Sequence, residues 1–238
     1  MKAFLYGILL HWKQDLRNKG VLITYYMVPL LFFAFIGTIF TSINPESGET
    51  LIQSMTIFAV TMGAYLGTPI PLVELYSSDT RKAYMVGGIP LWTGAVENII
   101  SAFVHLFLTS CIIYLAAPFA FDAKPPEDIV KHFAVLALFI AVCLSVGTVL
   151  GLFIRSTSRL TMFSQILFLP SLMLSGIMFP AELLPEALQK AGYLFPATWG
   201  FQLMTGSGRD IPALLFLAAF LVIALIVSSY KLSKIGID

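Results

Sequence analysis

Six apolar stretches of about 20 residues occupy most of the chain, and a stretch of that length is what a helix needs to cross a bilayer. Charged residues make up only 11% of the 238 residues, whereas soluble domains average roughly 25%. One soluble core therefore cannot hide the apolar surface. The sequence predicts an all-α membrane protein, a single domain over 1–238, with six transmembrane helices at 21–40, 52–73, 93–117, 133–154, 161–179 and 211–230.

The first nineteen residues form a segment of their own. Their apolar residues recur at steps of three and four, and polar residues occupy the other positions. This pattern predicts an amphipathic helix over 1–19 that lies along the headgroup layer and meets the first span at an elbow. A signal peptide is the alternative, but Trp12, Lys13 and Asp15 interrupt the apolar core and no small-X-small cleavage site follows.

The basic residues orient the chain. If the amino terminus is cytoplasmic, ten of the 14 Lys and Arg residues fall on the cytoplasmic side, as the positive-inside rule requires. We therefore expect a multi-pass protein of the cell membrane with both termini in the cytoplasm. The ten residues are Lys2, Lys13, Arg17, Lys19, Arg81, Lys82, Arg155, Arg159, Lys231 and Lys234.

Two regions between spans carry special patterns. The cytoplasmic region 74–90 combines charged residues with a Gly-Gly-X-Pro end, which predicts a short helix there. The region either docks a partner protein or is an ordinary positively charged cytoplasmic loop. The external segment 175–199 follows an apolar run that stops at Pro180 and contains Pro185 and Pro196. Prolines and polar side chains here predict a broken, re-entrant helical segment.

No residue pattern for catalysis is present. The sequence has no phosphate-binding Gly-X-X-X-X-Gly-Lys-Ser/Thr loop and no Gly-X-Ser-X-Gly, His-Glu-X-X-His or Cys-X-X-Cys motif. We therefore expect a protein that is not an enzyme. Glu97 and His105 lie inside the third span, where ionisable groups can mark an ion pathway. The alternative is a carboxylate held at the cytoplasmic interface and a neutral packing histidine.

Small and aromatic residues predict how the spans pack. Gly63 with Gly67, and Gly147 with Gly151, have the Gly-X-X-X-Gly spacing that lets helices approach closely, within one subunit or between two. The aromatic residues of the first span, for example Phe32 and Phe33, contact lipid, pack, or line a path for an apolar substrate. Kinks are expected at Pro29, Pro69 and Pro71.

The order of these parts resembles the permease subunit of type-2 ABC exporters over the whole chain. The most specific residues are Ser175-Gly-Ile-Met-Phe-Pro180, Leu184-Pro185 and Phe195-Pro-Ala-Thr-Trp199, which look like the family's signature between spans five and six. The region 74–82 is similar in position to the family's coupling helix, with a looser sequence match.

The resemblance implies a subunit that binds no cofactor itself and is driven by two ABC ATPase subunits, which bind ATP and Mg. It also implies a second permease subunit, identical or related, and contact with membrane lipid; we expect no nucleic-acid partner. Implied ATPase-coupling residues are Glu74, Asp79, Arg81, Lys82, Trp12 and Arg17. Implied external-gate residues are Met178, Phe179, Pro180, Pro185, Pro196 and Trp199. Candidate pathway residues are Glu97, His105, Phe32 and Phe33.

The expected function is ATP-driven export of an amphipathic drug, peptide or lipid-like molecule. Three alternatives remain open at the level of sequence. They are ABC export of a lipid-linked glycan, an ATP-independent channel or secondary transporter that uses Glu97 or His105, and a non-transporting subunit for partner binding or immunity.

Overall fold

The computed structural model of the chain describes residues 2–43, 48–77, 79–206 and 208–235, and within these ranges it contains helices and no strand. The first five helices are α1 (Lys2–Arg17), α2 (Lys19–Phe40), α3 (Leu51–Tyr76), α4 (Asp79–Val86) and α5 (Leu91–Phe121). The others are α6 (Ile129–Phe153), α7 (Thr157–Met173), α8 (Glu186–Gly192), α9 (Pro196–Thr205) and α10 (Asp210–Ile235).

Five of the described helices are long and apolar enough to cross a membrane: α2, α3, α5, α6 and α10. Each coincides with a predicted span, beginning within about four and ending within about five residues of it, because the length and hydropathy of a stretch indicate where such a helix can lie. The amphipathic segment is helical as far as Arg17. Asn18 then separates it from α2, since the Asn18 side chain accepts a hydrogen bond of 2.9 Å from the backbone N–H of Gly20.

The predicted span 161–179 is wrong at both of its ends. The helix α7 covers Thr157–Met173, and residues 174–179 are not helical. The helix ends at Met173, and the chain then turns at Gly176, whose φ of 86° lies outside helical backbone geometry and is accessible chiefly to glycine. Because 161–179 is mostly apolar on both sides of this turn, hydropathy could not reveal it.

The direction of α7 follows from two contacts between α6 and α10. At their first turns, Lys131 Nζ donates a hydrogen bond of 2.7 Å to Asp210 Oδ2. At their other ends, Lys231 Nζ lies 5.2 Å from the centre of the Phe153 ring. The two helices therefore run parallel, and the chain between them returns from one end of the bundle to the other. With 17 residues, α7 is about 25 Å long and makes most of that return.

The core forms around α3 and α6, which approach closely at small residues. A methyl group on Gly147 would collide with the backbone carbonyl of Ala64, and one on Gly151 would lie 2.9 Å from the carbonyl oxygen of Pro69. Gly63 and Gly67 receive the Tyr25 ring of α2 in the same way. Both Gly-X-X-X-Gly pairs thus pack helices within one chain.

The first span is irregular near Pro29. Residues Ile23–Met27 form a π-helical turn, which is a common adjustment next to a proline. Pro29 has no N–H for the carbonyl of Tyr25, four residues earlier. The hydroxyl of Thr109 on α5 donates a hydrogen bond of 2.7 Å to that carbonyl. A side chain of a neighbouring helix thus satisfies the acceptor that the proline leaves free. A second π-helical turn, Gly63–Gly67, precedes Pro69 in α3.

Candidate functional site

The helix α1 is joined to α5 through a buried carboxylate. Asp15 is only 8% exposed, and its Oδ2 accepts a hydrogen bond of 2.5 Å from Ser101 Oγ. A buried carboxylate is costly unless it is hydrogen-bonded or paired. The Ser101 hydroxyl therefore stabilises α1 against the bundle, and removal of α1 would leave this polar position of α5 unsatisfied.

Two histidines lie beside Asp15, and an asparagine lies beside one of them. His11 Nε2 and His105 Nε2 each lie 3.9 Å from Asp15 Oδ2. His11 Nε2 also lies 3.4 Å from Asn98 Oδ1, and the Asn98 amide donates a hydrogen bond of 3.1 Å to the carbonyl of Thr68. The cluster of His11, Asp15, Asn98, Ser101 and His105, called here the polar cluster, thereby connects α1, α3 and α5.

His105 is packed among aromatic rings. It is fully buried, and its Nδ1 lies 2.7 Å from the Tyr26 hydroxyl. The Tyr25 ring stacks on one side with 5.6 Å between ring centres, and Trp12 of α1 stacks at 6.2 Å. Within the described chain, this candidate pathway residue therefore lies inside a closed packing arrangement that also fixes Trp12 toward the bundle.

The short helix α4 lies at the same end of the bundle as α1 and the end of α10. Arg81 Nη2 donates a hydrogen bond of 2.7 Å to the backbone carbonyl of Ile235, the last described residue. A charged guanidinium at the carboxyl end of a helix also complements the helix dipole. Arg81 thus connects α4 to α10, a role that the sequence did not indicate.

The remaining predicted coupling residues differ in exposure. Glu74, Lys82 and Arg17 are exposed at this end of the bundle. Trp12 is half-buried against His105. The side chain of Asp79 lies outside the described part of the structure.

At the opposite end, residues 174–206 form a compact cap. A 3₁₀ turn at Ala181–Leu183 follows Pro180, α8 follows Pro185, and α9 begins at Pro196. These prolines stand at or just before the helix starts, where the missing N–H has no cost. The predicted segment 175–199 thus continues to the end of α9, where Gly206 adopts φ 70°.

Side-chain hydrogen bonds hold the cap together. The Thr198 hydroxyl donates to the carbonyl of Gly192 over 2.6 Å, and the Trp199 Nε1–H donates to the carbonyl of Tyr193 over 2.8 Å. The Trp199 ring stacks on Phe216 of α10 with 4.8 Å between ring centres. The α8–α9 corner is therefore fixed against α10.

The predicted gate residues lie at different depths in this cap. Met178 packs against the main core and Pro196 is buried. Phe179, Pro180 and Pro185 are exposed. The structure thus brings the six residues into one segment, with Met178, Pro196 and Trp199 on its packed side.

The other candidate pathway residues do not meet. Glu97 is half-buried, and its carboxylate lies against Gly7 of α1. Phe33 is buried against Phe121 with ring centres 5.2 Å apart. Phe32 is 40% exposed and stacks on Phe58. Of these, only Phe32 presents much of its ring to the outside of the bundle.

Sequence reasoning missed the polar cluster, although one signal was present. At 100° per residue, Asp15 lies about 20° from Ile8 around α1 and so belongs to its apolar face. A carboxylate on that face, four residues after His11, indicates a buried partner. Its partners in α5 are 86 residues or more away in the chain, and no local pattern identifies them.

Together, the long apolar helices and the amphipathic helix fixed to one end of the bundle define a multi-pass helical membrane protein. Residues 4–207 match the family model described as ABC-2 type transporter. The chain therefore belongs to the ABC-2 type transporter family. It is also similar to the Bacillus subtilis (strain 168) protein named "Putative transport permease YvfS", with 21% identity over 226 residues, which are 92% of each chain.

Membership in this family makes the chain a membrane transport component of an ABC system. Such permeases associate with ABC ATPase partners and generally have no ATPase site of their own. The resemblance inferred from the segment between spans five and six is thus confirmed at the level of the family.

Proposed function

We propose that the chain is the membrane-spanning subunit of an ATP-driven exporter of amphipathic molecules. The observation that carries the proposal is the convergence of α1, α4 and the end of α10 at one end of the bundle. Two contacts join them to the spans, Ser101 to Asp15 and Arg81 to Ile235. An ATPase bound at this end of the bundle could therefore transmit its movement to several transmembrane helices.

The proposed orientation has this end in the cytoplasm. The exposed Lys13, Arg17 and Lys82 lie there, which fits the positive-inside rule. The return of the chain between α6 and α10 supports six crossings with α7 as the fifth, so that both termini are cytoplasmic. The cap at 174–206 then lies outside.

In the proposed mechanism, two ATPase subunits bind ATP and Mg and dock on α1 and α4 of a pair of permease subunits. Closure of the ATPases displaces α4. Arg81 transmits that displacement to α10, while Asp15 carries the movement of α1 to α5. Because α10 also supports the cap through Phe216 and Trp199, movement of α10 alters the outer gate around Met178 and Trp199.

The first experiment identifies the driving force. The chain is purified in mild detergent from its native membrane, any co-purifying ATPase with a phosphate-binding loop is identified, and both are reconstituted into inside-out vesicles. We expect uptake of fluorescent amphipathic dyes or peptides that requires ATP.

Uptake without ATP would instead identify a channel or secondary transporter. Stable ATPase binding without uptake of any amphipathic probe or lipid-linked glycan would identify a non-transporting subunit. Uptake of the glycan alone would replace the proposed substrate class.

A second experiment separates ATPase docking from transmission. Lys82→Glu reverses an exposed charge on α4 and should weaken ATPase association about tenfold. Arg81→Gln should leave that association close to wild type and reduce ATP-driven transport, because it removes the guanidinium bound to Ile235. Lys190→Glu, an exposed change on the opposite end, is the matched control. Equal ATPase association for Lys82→Glu and Lys190→Glu would contradict α4 as the docking site.

A further inference from the structure

A deep groove of about 1080 Å³ lies between α1, the end of α3, the residues after α4 and the start of α5. Its floor includes Asp15, Asn98 and Thr93, which are 8%, 2% and 8% exposed. A volume of this size is at the upper end of the range for small-molecule sites, which are mostly apolar clefts with a few polar groups. The groove therefore has the dimensions of a binding site.

The charge of the groove is opposite to that of the surface around it. Asp15, Glu74 and Glu97 line it, together with His11, and none of its described lining residues is Lys or Arg. The neighbouring surface of α1 and α4 exposes Lys13, Arg17 and Lys82. Three carboxylates with low-dielectric walls favour a cation and disfavour an anion.

The walls match an organic cation better than a hydrated ion. Leu10, Leu75 and Ile89 provide apolar surface, and Tyr6 and Tyr84 provide aromatic rings. Aromatic faces next to carboxylates attract large, weakly hydrated cations. Tyr84 and Glu97 both line the groove, where burial and the Glu97 carboxylate raise the pKa of Tyr84.

The mouth of the groove connects with an apolar surface. Tyr6 and Leu10 are 68% and 45% exposed, and Leu9 beside them is 56% exposed. An amphipathic helix with such residues lies at the membrane interface. A molecule that collects at this interface can therefore reach the groove from the bilayer side.

We propose that this groove binds an amphipathic organic cation, with Glu97 and Glu74 as the groups that select its charge. This inference rests on the proposed function in one respect: export is needed for the groove to be the entry site of the transported molecule. The binding itself requires no ATPase.

The test is equilibrium binding to the purified permease alone, without ATP or ATPase, in nanodiscs of phosphatidylcholine. The probe is radiolabelled tetraphenylphosphonium, and tetraphenylborate of the same shape and opposite charge is the comparison. We expect saturable binding of the cation, weakened about fivefold by Glu97→Gln and by Glu74→Gln, because each removes one carboxylate near the bound charge. Glu186→Gln, an exposed change on the outer cap, should leave binding unchanged.

Folding of each variant is checked by gel filtration and thermal unfolding. Should Glu97→Gln fail to fold, the exposed Glu74→Gln still decides the result. The proposal is overturned if tetraphenylphosphonium shows no saturable binding, if the groove variants match Glu186→Gln, or if tetraphenylborate binds equally well with the same dependence on Glu74.

Two further outcomes separate ligand binding in the groove from ATPase docking and from export. If the ATPase displaces tetraphenylphosphonium and Glu97→Gln weakens ATPase association, the groove is a seat for a basic segment of the partner, and the proposal is overturned. If saturable, Glu97-dependent binding occurs but vesicles show no ATP-driven uptake, the groove is supported and the proposed export function fails.

Discussion

Asp15 and Ser101 are 86 positions apart in the chain, yet the Ser101 hydroxyl donates a hydrogen bond of 2.5 Å to the buried Asp15 carboxylate. Together with the stacking of Trp12 on His105, this bond holds α1 against the bundle. The exposed apolar residues of α1 can bury in the lipid, whereas the hydrogen bond attaches its opposite face to the helix bundle. The position of α1 is thus determined by the bundle as well as by the bilayer.

Ser101→Ala should loosen α1 without unfolding the spans. Loss of a hydrogen bond to a buried charged group costs about 1.5–3 kcal/mol. We expect a lower thermal unfolding temperature and faster tryptic cleavage after Lys13 and Arg17, which are exposed on α1. Ser110→Ala is the control, since the Ser110 hydroxyl bonds only the Leu106 carbonyl of its own helix in the described structure. Equal cleavage rates in the two variants would show that Asp15 does not anchor α1.

The Thr109 hydroxyl should matter because of Pro29. In the wild type, Thr109→Val leaves the Tyr25 carbonyl without its side-chain donor and should cost about 1 kcal/mol. In a Pro29→Ala background the new N–H can bond that carbonyl, so the same change should cost less. A double-mutant cycle of thermal stabilities measures the difference, which we expect to be about 0.5–1 kcal/mol.

Thr148→Val is the matched control for that cycle. The Thr148 hydroxyl is buried and bonds the Leu144 carbonyl of its own helix. The loss of stability caused by Thr148→Val should therefore be the same with Pro or Ala at position 29. A coupling as large as that of Thr109 would mean that Pro29→Ala alters the bundle in general.

Gly147→Ala should destabilise the contact between α6 and α3. The added methyl group would collide with the backbone carbonyl of Ala64, which cannot move aside as a flexible side chain can. We expect a loss of about 1–3 kcal/mol from overpacking, measured by thermal unfolding in detergent. Gly48→Ala, whose methyl group would meet nothing closer than 4.0 Å, should show no such loss; equal losses would contradict close packing at Gly147.

The ion pair between Glu49 and Lys124 should give a measurable pH dependence. Lys124 Nζ lies 2.6 Å from Glu49 Oε1 and holds the pKa of that carboxyl below its usual value. Since the folded pKa is lowered, the pair stabilises the fold above the ordinary pKa of a glutamate, and this contribution is lost as pH falls through the folded value. NMR titration of ¹³C-labelled Glu49 should show the shift, and Lys124→Gln should abolish it. An unchanged Glu49 titration in Lys124→Gln would contradict the pair.

The sequence predicted the positions of the spans better than the contacts between them. Span positions follow from the length and hydropathy of local stretches, so α2, α3, α5, α6 and α10 lie close to the predictions. The polar cluster depends on side chains from α1 and α5 and on a backbone carbonyl of α3, and therefore could not be located from any one segment. Arg81 illustrates the same limit, because a loop position and a positive charge say nothing about a hydrogen bond to Ile235.

Variants in the turn after α7 test whether Gly176 or Pro180 sets the path of the chain beyond that helix. The prolines of the cap suggested from sequence that the helix ends at Pro180, but α7 ends at Met173 and the chain turns at Gly176, where φ is 86°. The nearest atoms to an added methyl group there are 3.6 Å away, so Gly176→Ala is opposed by backbone strain alone, about 1–2 kcal/mol. We expect this variant to lower thermal stability and impair ATP-driven export.

Pro180→Ala should be milder, within about 1 kcal/mol, because Pro180 acts outside the helix. Gly206→Ala is the matched control: it has φ 70° and open space around it, but stands at the end of α9. It should lose similar stability while export is retained. If Pro180→Ala impairs export more than Gly176→Ala does, the proline rather than Gly176 sets the path of the chain after α7.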